Sequence, residues 1–455
     1  MGNTNFFGEE RDTEYKAEFM PAYKLMSPFN YGFCLTGGLR AITKDLSRKN
    51  LLVIGASGSG KTATVCIGTI ISLTRGKSSM CVLDVSGELH TFTSGYLAKK
   101  GYKIYCIDFS DTSDSFNPLL SVKVVTDAQK LGFLLIKNSR IETQSDPYWG
   151  ASSEMVLAIF IQYLVFYAPK EYCNMANLVM LIDTFASHPK RIAKLIVRTN
   201  DEMLIKKFFA MTAVSERTLQ STLATVRAAI KVFATPALQK CTATNSFNFA
   251  DFRKEKSILY ICIPLNDINY YASYSALLFE TLFNEIMSKI PSSSDKDIYA
   301  ICDELVTMRF SSPGVVWSNI RKYKAGCLGI IQDERMLEIA FSPAEAHAIR
   351  TNSYCKVYLS GQPLATCKNL EEILGKYTYT SDRGTEKTRS LLNASEIRML
   401  PKNKSIILAG SEPPILATMH PFYNHFLLSM RTKIPPYQRI NTIIAQPPLL
   451  PIDED

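Results

Sequence analysis

The chain has 455 residues, 46% hydrophobic and 20% charged, a composition that excludes fibrous and disordered classes and a length that allows two or three domains. Lys and Arg exceed Asp and Glu by nine, which favours polyanionic partners without naming one. Eleven cysteines, an odd count with no C-x-x-C pair and several inside apolar runs, read as buried hydrophobes in a reducing compartment, and five histidines without ligand spacing predict no structural metal.

In chain order, residues 1–28 form a polar, partly ordered arm whose start has no secretory-signal pattern. Residues 31–35 and 39–42, around Thr36, Gly37 and Gly38, predict a short hairpin. A strand at 51–54, a helix at 61–73, a strand at 80–85, a helix at 88–99 and a strand at 103–109 then alternate, the pattern of a parallel sheet covered by helices. Between 127 and 243 the strand signal disappears, and helices at 128–136, 152–167, 174–185, 190–197, 202–211 and 216–232 predict an all-α insertion. Its longest apolar stretch, 155–168, is interrupted by Gln162 and is shorter than the roughly 18–20 residues of a membrane span, so a buried helix is expected. From 188 to 240, Lys190, Arg191, Lys194, Arg198, Lys206, Lys207, Arg217, Arg227, Lys231 and Lys240 face only Asp201, Glu202 and Glu216. That excess reads either as a solvated helical surface or as a docking face for DNA or an acidic partner.

The α/β rhythm resumes with strands at 257–263, 298–302, 327–331 and 356–359, helices at 271–289 and 315–324, and last strands at 405–409 and 415–419. The expected domains are the arm (1–28), a nucleotide-binding domain in two parts (29–126 and 244–434) around the all-α insertion (127–243), and a proline-rich acidic tail (435–455), extended or mobile.

Gly55, Ala56, Ser57, Gly58, Ser59, Gly60, Lys61 and Thr62 fit G-x-x-x-x-G-K-[ST] at every fixed position, between a predicted strand and helix. The glycines let successive N–H groups face phosphate oxygens, Lys61 neutralises β- and γ-phosphate charge, and the Thr62 hydroxyl ligates Mg²⁺. The expected ligands are therefore ATP and Mg²⁺. The apolar run 298–302 ends in Asp303 and Glu304, which read as a Walker B pair: Asp303 holds Mg²⁺ through water and Glu304 orients the attacking water. Gln332, at the end of the next strand, is a candidate γ-phosphate sensor. Arg321 is the first candidate for an arginine acting on a neighbouring subunit's nucleotide, and Arg350 the second. The turn from Leu359 to Gln362 follows a strand and is assigned no chemistry.

With these residues in place, the sequence resembles the type IV secretion coupling proteins, the TraG/TraD-like conjugative DNA-transfer ATPases. The resemblance is carried further by Asp84-Val-Ser86-Gly87-Glu88, where the family usually reads D-x-K-G-E, by Ser115-Phe-Asn117-Pro118, by Asp146-Pro-Tyr-Trp149, and by Asp251-Phe-Arg253 followed by Leu259-Tyr-Ile261. It implies an α/β, RecA-like P-loop NTPase with a mainly parallel sheet flanked by helices and an inserted all-α domain, assembled as a homo-hexamer with ATP between subunits. It also implies ATP-driven passage of single-stranded DNA, with bound relaxase or relaxosome, to a type IV secretion channel, gripped mostly through phosphates. Ser86 replaces the family lysine, and the family's pair of N-terminal membrane helices has no counterpart here. The expected location is cytoplasmic, peripheral at the inner membrane face through partners such as a separate anchor subunit, with no transmembrane segment. An FtsK/HerA-like soluble DNA pump and a nucleotide-dependent scaffold for a relaxosome or secreted effector are the alternatives.

Overall fold

The computed structural model describes residues 16–139, 147–264, 266–308, 310–380, 385–439 and 445–452. Among them eleven strands run in chain order: β1 (Leu51–Ile54), β2 (Ser79–Asp84), β3 (Lys103–Ile107), β4 (Ser257–Cys262), β5 (Ile298–Cys302), β6 (Ala325–Ile331), β7 (Cys355–Leu359), β8 (Lys376–Thr380), β9 (Glu386–Ser390), β10 (Lys404–Ala409) and β11 (Ile415–Thr418). Two compact units result, one from residues 1–76 and 326–433, the other from 77–325 and 434–455.

In the first unit β1 is central. It pairs in parallel with β6, Leu51 opposite Leu328 and Ile54 opposite Ile331, and with β7, Leu51 opposite Cys355. Such a strand is covered on both faces, so its sequence is a continuous apolar run rather than an alternation, and all four of its residues are buried. β10 runs antiparallel to β7, and β11 antiparallel to β10. After β1 the chain makes one π-type turn, Thr62–Cys66, and continues as the helix Ile67–Arg75. Lys44 Nζ donates to the Gly76 carbonyl at 2.7 Å, placing a cation at the negative end of that helix.

The expected hairpin at 31–42 is reduced to a few bonds. Gly32 N–H donates to the Ile42 carbonyl and Ile42 N–H to the Phe33 carbonyl, but no strand forms. Phe33, Cys34 and Leu35 are all buried, so the inside–outside alternation of a two-stranded ribbon is absent, and Gly37 and Gly38 take φ of 78° and 69° to turn the chain. Conversely, β8 and β9 form an antiparallel hairpin that the mostly polar sequence there did not predict.

The second unit holds four parallel strands in the order β5-β2-β4-β3, with Ser79 opposite Ile298, Asp84 opposite Cys262 and Lys103 opposite Ser257. Between β3 and β4 the chain is helical. Pro147–Phe166 packs against Val125–Ser139, Glu202–Thr212 and Glu216–Ile230. Phe160, Phe185 and Phe208 meet as tilted rings at centroid distances of 5.5 and 5.4 Å, joining Pro147–Phe166 to Glu202–Thr212 through a further helix, Met175–Ser187. The stretch Trp149–Phe166 is long and apolar enough to cross a bilayer by length and composition, longer than the sequence reading allowed, and half of it is buried inside the protein. Asp146, one of the residues that carry the resemblance, lies outside the described residues.

The described part of the proline-rich tail takes the extended alternative, and it is held rather than mobile. A Cβ at Gly95 would overlap the Pro435 carbonyl, and Tyr437 N–H donates to Ser94 Oγ at 3.0 Å. Arg439 donates to the Cys106 carbonyl at 2.9 Å and pairs with Asp114. Further on, Asn177 accepts from Leu450 N–H at 2.8 Å and donates to the Pro448 carbonyl at 2.9 Å. Side-chain amides of this kind replace a missing strand partner, and composition gives no signal for them. Residues 453–455, the acidic end, lie outside the described residues.

Candidate nucleotide site

The loop after β1 is shaped by its glycines. Gly55 N–H continues the parallel ladder to the Ile331 carbonyl at 3.2 Å, and a Cβ on Gly55 would sit 2.8 Å from Ser59 Oγ and 2.9 Å from Leu359 Cβ. Gly58 and Gly60 have φ of 74° and 82°, a region that costs an L side chain roughly 1–2 kcal/mol. At Gly58 nothing lies within 4 Å of the place a Cβ would take, so the demand there is conformational rather than steric. Two left-handed residues ahead of a helix start turn backbone N–H groups towards one concavity, a ready anion site.

Lys61 Nζ lies in that concavity, donating to the carbonyls of Gly55 at 2.6 Å and Ala56 at 2.9 Å. Ser59 Oγ is buried there with no hydrogen-bond partner. An ammonium held by weak carbonyl acceptors, an orphaned hydroxyl and inward N–H groups fit a polyphosphate: phosphate oxygens are stronger acceptors than any the loop itself offers. Thr62 opens the first helical turn after Lys61.

Two further residues lie next to this loop. Gln332 follows β6, whose last residue Ile331 is opposite Ile54 and accepts from Gly55, so the predicted glutamine stands beside the loop. Gln362 was assigned no role from sequence. Buried in the turn after β7, it donates to the Ile54 carbonyl at 3.0 Å and to the Leu359 carbonyl at 2.8 Å, and a Cβ on Gly361 would lie 3.7 Å from Ala56 Cβ. The turn thus holds the base of the loop. A glutamine after a strand carries no local signal for that task, because its partner is 308 positions away. Arg350 is committed within the same unit, pairing with Glu338 at 2.7 Å.

The acidic residues belong to the other unit. Asp303 N–H donates to the Leu83 carbonyl at 3.2 Å, extending the ladder past the end of β5, and Glu304 starts the turn Leu305–Thr307. Both are half-buried. Burial first, and the Asp303 charge second, push the neighbouring Cys302 thiol far up. Arg321 is exposed in the turn Ile320–Tyr323 of this unit. At the end of β2, Asp84 is fully buried and accepts from His90 N–H at 2.8 Å. Burial raises its pKa, and the N–H groups of residues 86, 87, 89 and 90 oppose the rise. The Asp84–Glu88 element therefore caps the helix Glu88–Lys99, and Ser86 contributes an acceptor to Glu88 N–H. In the helical segment, Arg227 pairs with Asp183 at 2.7 Å and Lys240 with Asp111 at 2.5 Å, so part of its positive excess is neutralised internally.

The family model described as type IV secretory system conjugative DNA transfer matches residues 12–443 of this chain. The chain belongs to that family. VirD4 of Rhizobium radiobacter is 21% identical over 435 residues, covering 88% of this chain and 60% of that protein, and VirD4 of Agrobacterium fabrum (strain C58) is 21% identical over 458 residues, covering 93% and 65%. The chain thus spans less than two thirds of the length of these relatives. Among solved structures, the conjugative coupling protein TrwBdeltaN70 with sulphate superposes with a TM-score of 0.71 at 14% identity, over 89% of this chain and 94% of that one. TrwB in complex with ADP and Mg²⁺ gives 0.70 at 14% identity, over 90% and 94%. The conjugative-transfer fold is therefore an α/β fold with a mainly parallel sheet and a helical insertion, at sequence identities where only the fold carries over.

Proposed function

We propose that this protein is an ATP-driven motor of conjugative DNA transfer, which binds nucleotide at residues 55–62 and couples its hydrolysis to moving single-stranded DNA, with attached relaxase, towards a type IV secretion channel. The observation that carries the reading is the phosphate loop itself, with Lys61 Nζ lodged among its carbonyls and Ser59 Oγ unpartnered. Its place in the conjugative DNA-transfer family supplies the task, and its fold relative TrwB has been solved with ADP and Mg²⁺.

In this reading the N–H groups of the loop and Lys61 hold the β- and γ-phosphates, and Thr62 and, through water, Asp303 hold Mg²⁺. When bound, Mg²⁺ neutralises phosphate charge. Glu304 orients the attacking water, Gln332 reads the γ-phosphate from its place beside Gly55, and an arginine of a neighbouring subunit stabilises developing charge. Arg321, which is exposed, is preferred to Arg350, which is engaged with Glu338. The working assembly is a homo-hexamer, held at the membrane by a partner or by a segment outside this sequence. The helical segment is the loading surface.

The test is phosphate release and molecular mass with and without single-stranded DNA. Lys61→Ala and Glu304→Gln each lower DNA-stimulated turnover by about 100-fold or more, and Glu304→Gln still binds ATP. Unchanged turnover in Glu304→Gln removes that residue from the chemistry, and a monomer inert to DNA transfers the case to a scaffold.

A further inference from the structure

The segment that leaves β6 is fixed to its surroundings by side chains that the phosphate loop does not use. β1 lies between β6 and β7, with Ile54 opposite Ile331 on one side and Tyr358 on the other. Tyr358 therefore stands level with the last residue before Gly55. Its ring is buried, and its hydroxyl donates to Glu334 Oε1 at 2.6 Å. A residue of β7 thereby grips a residue that follows β6, across the end of the strand that carries the loop.

The bond is of the strong kind, because a hydroxyl that donates to a carboxylate is charge-assisted and short. Burial first, and the Glu334 charge second, push the Tyr358 phenol far up, so it keeps its proton and remains the donor. Arg350, paired with Glu338 at 2.7 Å, has its other terminal nitrogen 3.5 Å from the Glu334 carbonyl. Glu334, which precedes the helix Arg335–Ala340, is thus approached from two elements.

Gln332 stands between two such ties. Before it, the Ile331 carbonyl accepts from Gly55 N–H at 3.2 Å; two residues after it, Tyr358 holds Glu334. A backbone fixed on both sides has little freedom left to lose when a ligand arrives. Such fixing matters to a group that reads a phosphate, since a misplacement of about 1 Å costs on the order of 100-fold in rate.

We infer that Tyr358 is a positioning residue of the nucleotide site: through Glu334 it sets where Gln332 meets the γ-phosphate. The inference rests on the reading of residues 55–62 as the phosphate site and of Gln332 as its γ-phosphate sensor, and it supplies the support that this sensor needs. Neither Tyr358 nor Glu334 meets the nucleotide; both act through Gln332.

The test uses the full chain. Binding of ADP and of an imido-bridged, non-hydrolysable ATP analogue is measured beside ATP turnover in the presence of single-stranded DNA. The variants are Tyr358→Phe, Glu334→Ala, Glu334→Gln, Gln332→Ala and the double variant Tyr358→Phe/Gln332→Ala. Tyr358→Phe and Glu334→Ala each lower kcat and the affinity for the analogue by about tenfold or more, while ADP binds within about twofold of wild type, which also shows that the variants are folded. Glu334→Gln keeps an acceptor for the phenol and recovers most of the loss. The double variant is no slower than Gln332→Ala, because the two substitutions remove one contribution. Equal losses for ADP and the analogue, wild-type kcat in Tyr358→Phe, or losses that multiply in the double variant overturn the positioning role. Gln332→Ala with wild-type turnover overturns the sensor and this inference together but leaves the phosphate loop standing. Wild type that binds neither nucleotide defeats all three.

Discussion

Replacing Asn177 by alanine isolates the clasp that holds the C-terminal segment. The side chain is fully buried; besides its bonds to Pro448 and Leu450, it donates to the Tyr172 carbonyl at 3.0 Å. Alanine leaves the buried Leu450 N–H unpaired, at about 1–3 kcal/mol, whereas the carbonyl of the exposed Pro448 keeps access to water. That loss offsets most of what the burial of Leu450 contributes to docking, about 1.5–3 kcal/mol. If the segment leaves, the N–H binds water and only the burial of Leu450 is forfeited. Local release is therefore the expected response, and global stability falls by no more than about 3 kcal/mol. Hydrogen exchange followed by mass spectrometry reads this directly: peptides containing 445–452 exchange at nearly free-peptide rates in Asn177→Ala, while those containing β1 keep their protection. Equal protection of 445–452 in wild type and variant would refute the clasp.

Two other substitutions follow from buried polar groups. Burial raises the pKa of Glu280 above its ordinary 4.5, against the pull of its bonds to Asn138 and Ser311. A carboxyl raised on folding favours the native state below its ordinary value, and that contribution is lost as pH rises through the folded value. Glu280→Gln therefore flattens part of the decline in thermal midpoint above pH 4.5; Asp84 and Asp114, raised in the same direction by burial, keep the remainder. Asn138, whose Oδ1 has no partner, can turn its amide to accept from the new glutamine, and an undiminished decline counts against the assignment. Gln362→Leu strips the Ile54 and Leu359 carbonyls of a donor and lowers stability by about 1–3 kcal/mol, with weaker ATP binding because the loop loses its support. A urea titration that matches wild type would show that the bond contributes nothing.

What the sequence disclosed was whatever is encoded within a few residues. Leu51–Ile54 followed by Gly55, Gly58, Gly60 and Lys61 announces a strand, a turn with inward N–H groups and a helix, because each preference is local. The strand ends at Asp303 and Gln332 were readable for the same reason. The support given by Gln362 was not, since its acceptor at Ile54 is remote in the chain, and Leu359–Gln362 alone looks like any turn. The tail was legible only in part. Its prolines lower helix and strand propensity, which suggests mobility, yet the described part is fixed by Ser94, Arg439 and Asn177, contacts that depend on tertiary placement. At residues 31–42 the two apolar runs suggested a ribbon, but burial of Phe33, Cys34 and Leu35 together removed the alternation a ribbon needs.

The pairing of β1 has a consequence for biogenesis. Both of its neighbours are distant in the chain, with Leu51 opposite Leu328 on one side and Cys355 on the other. At about 5–20 residues per second, a ribosome takes on the order of 15–60 s to deliver them after β1 has emerged. For that interval a wholly apolar strand has two open edges, the condition in which nascent chains mispair or recruit chaperones. Slow codons between 80 and 325 would lengthen the exposure, so yield of soluble protein should respond to translation speed in that stretch more than in the last hundred codons.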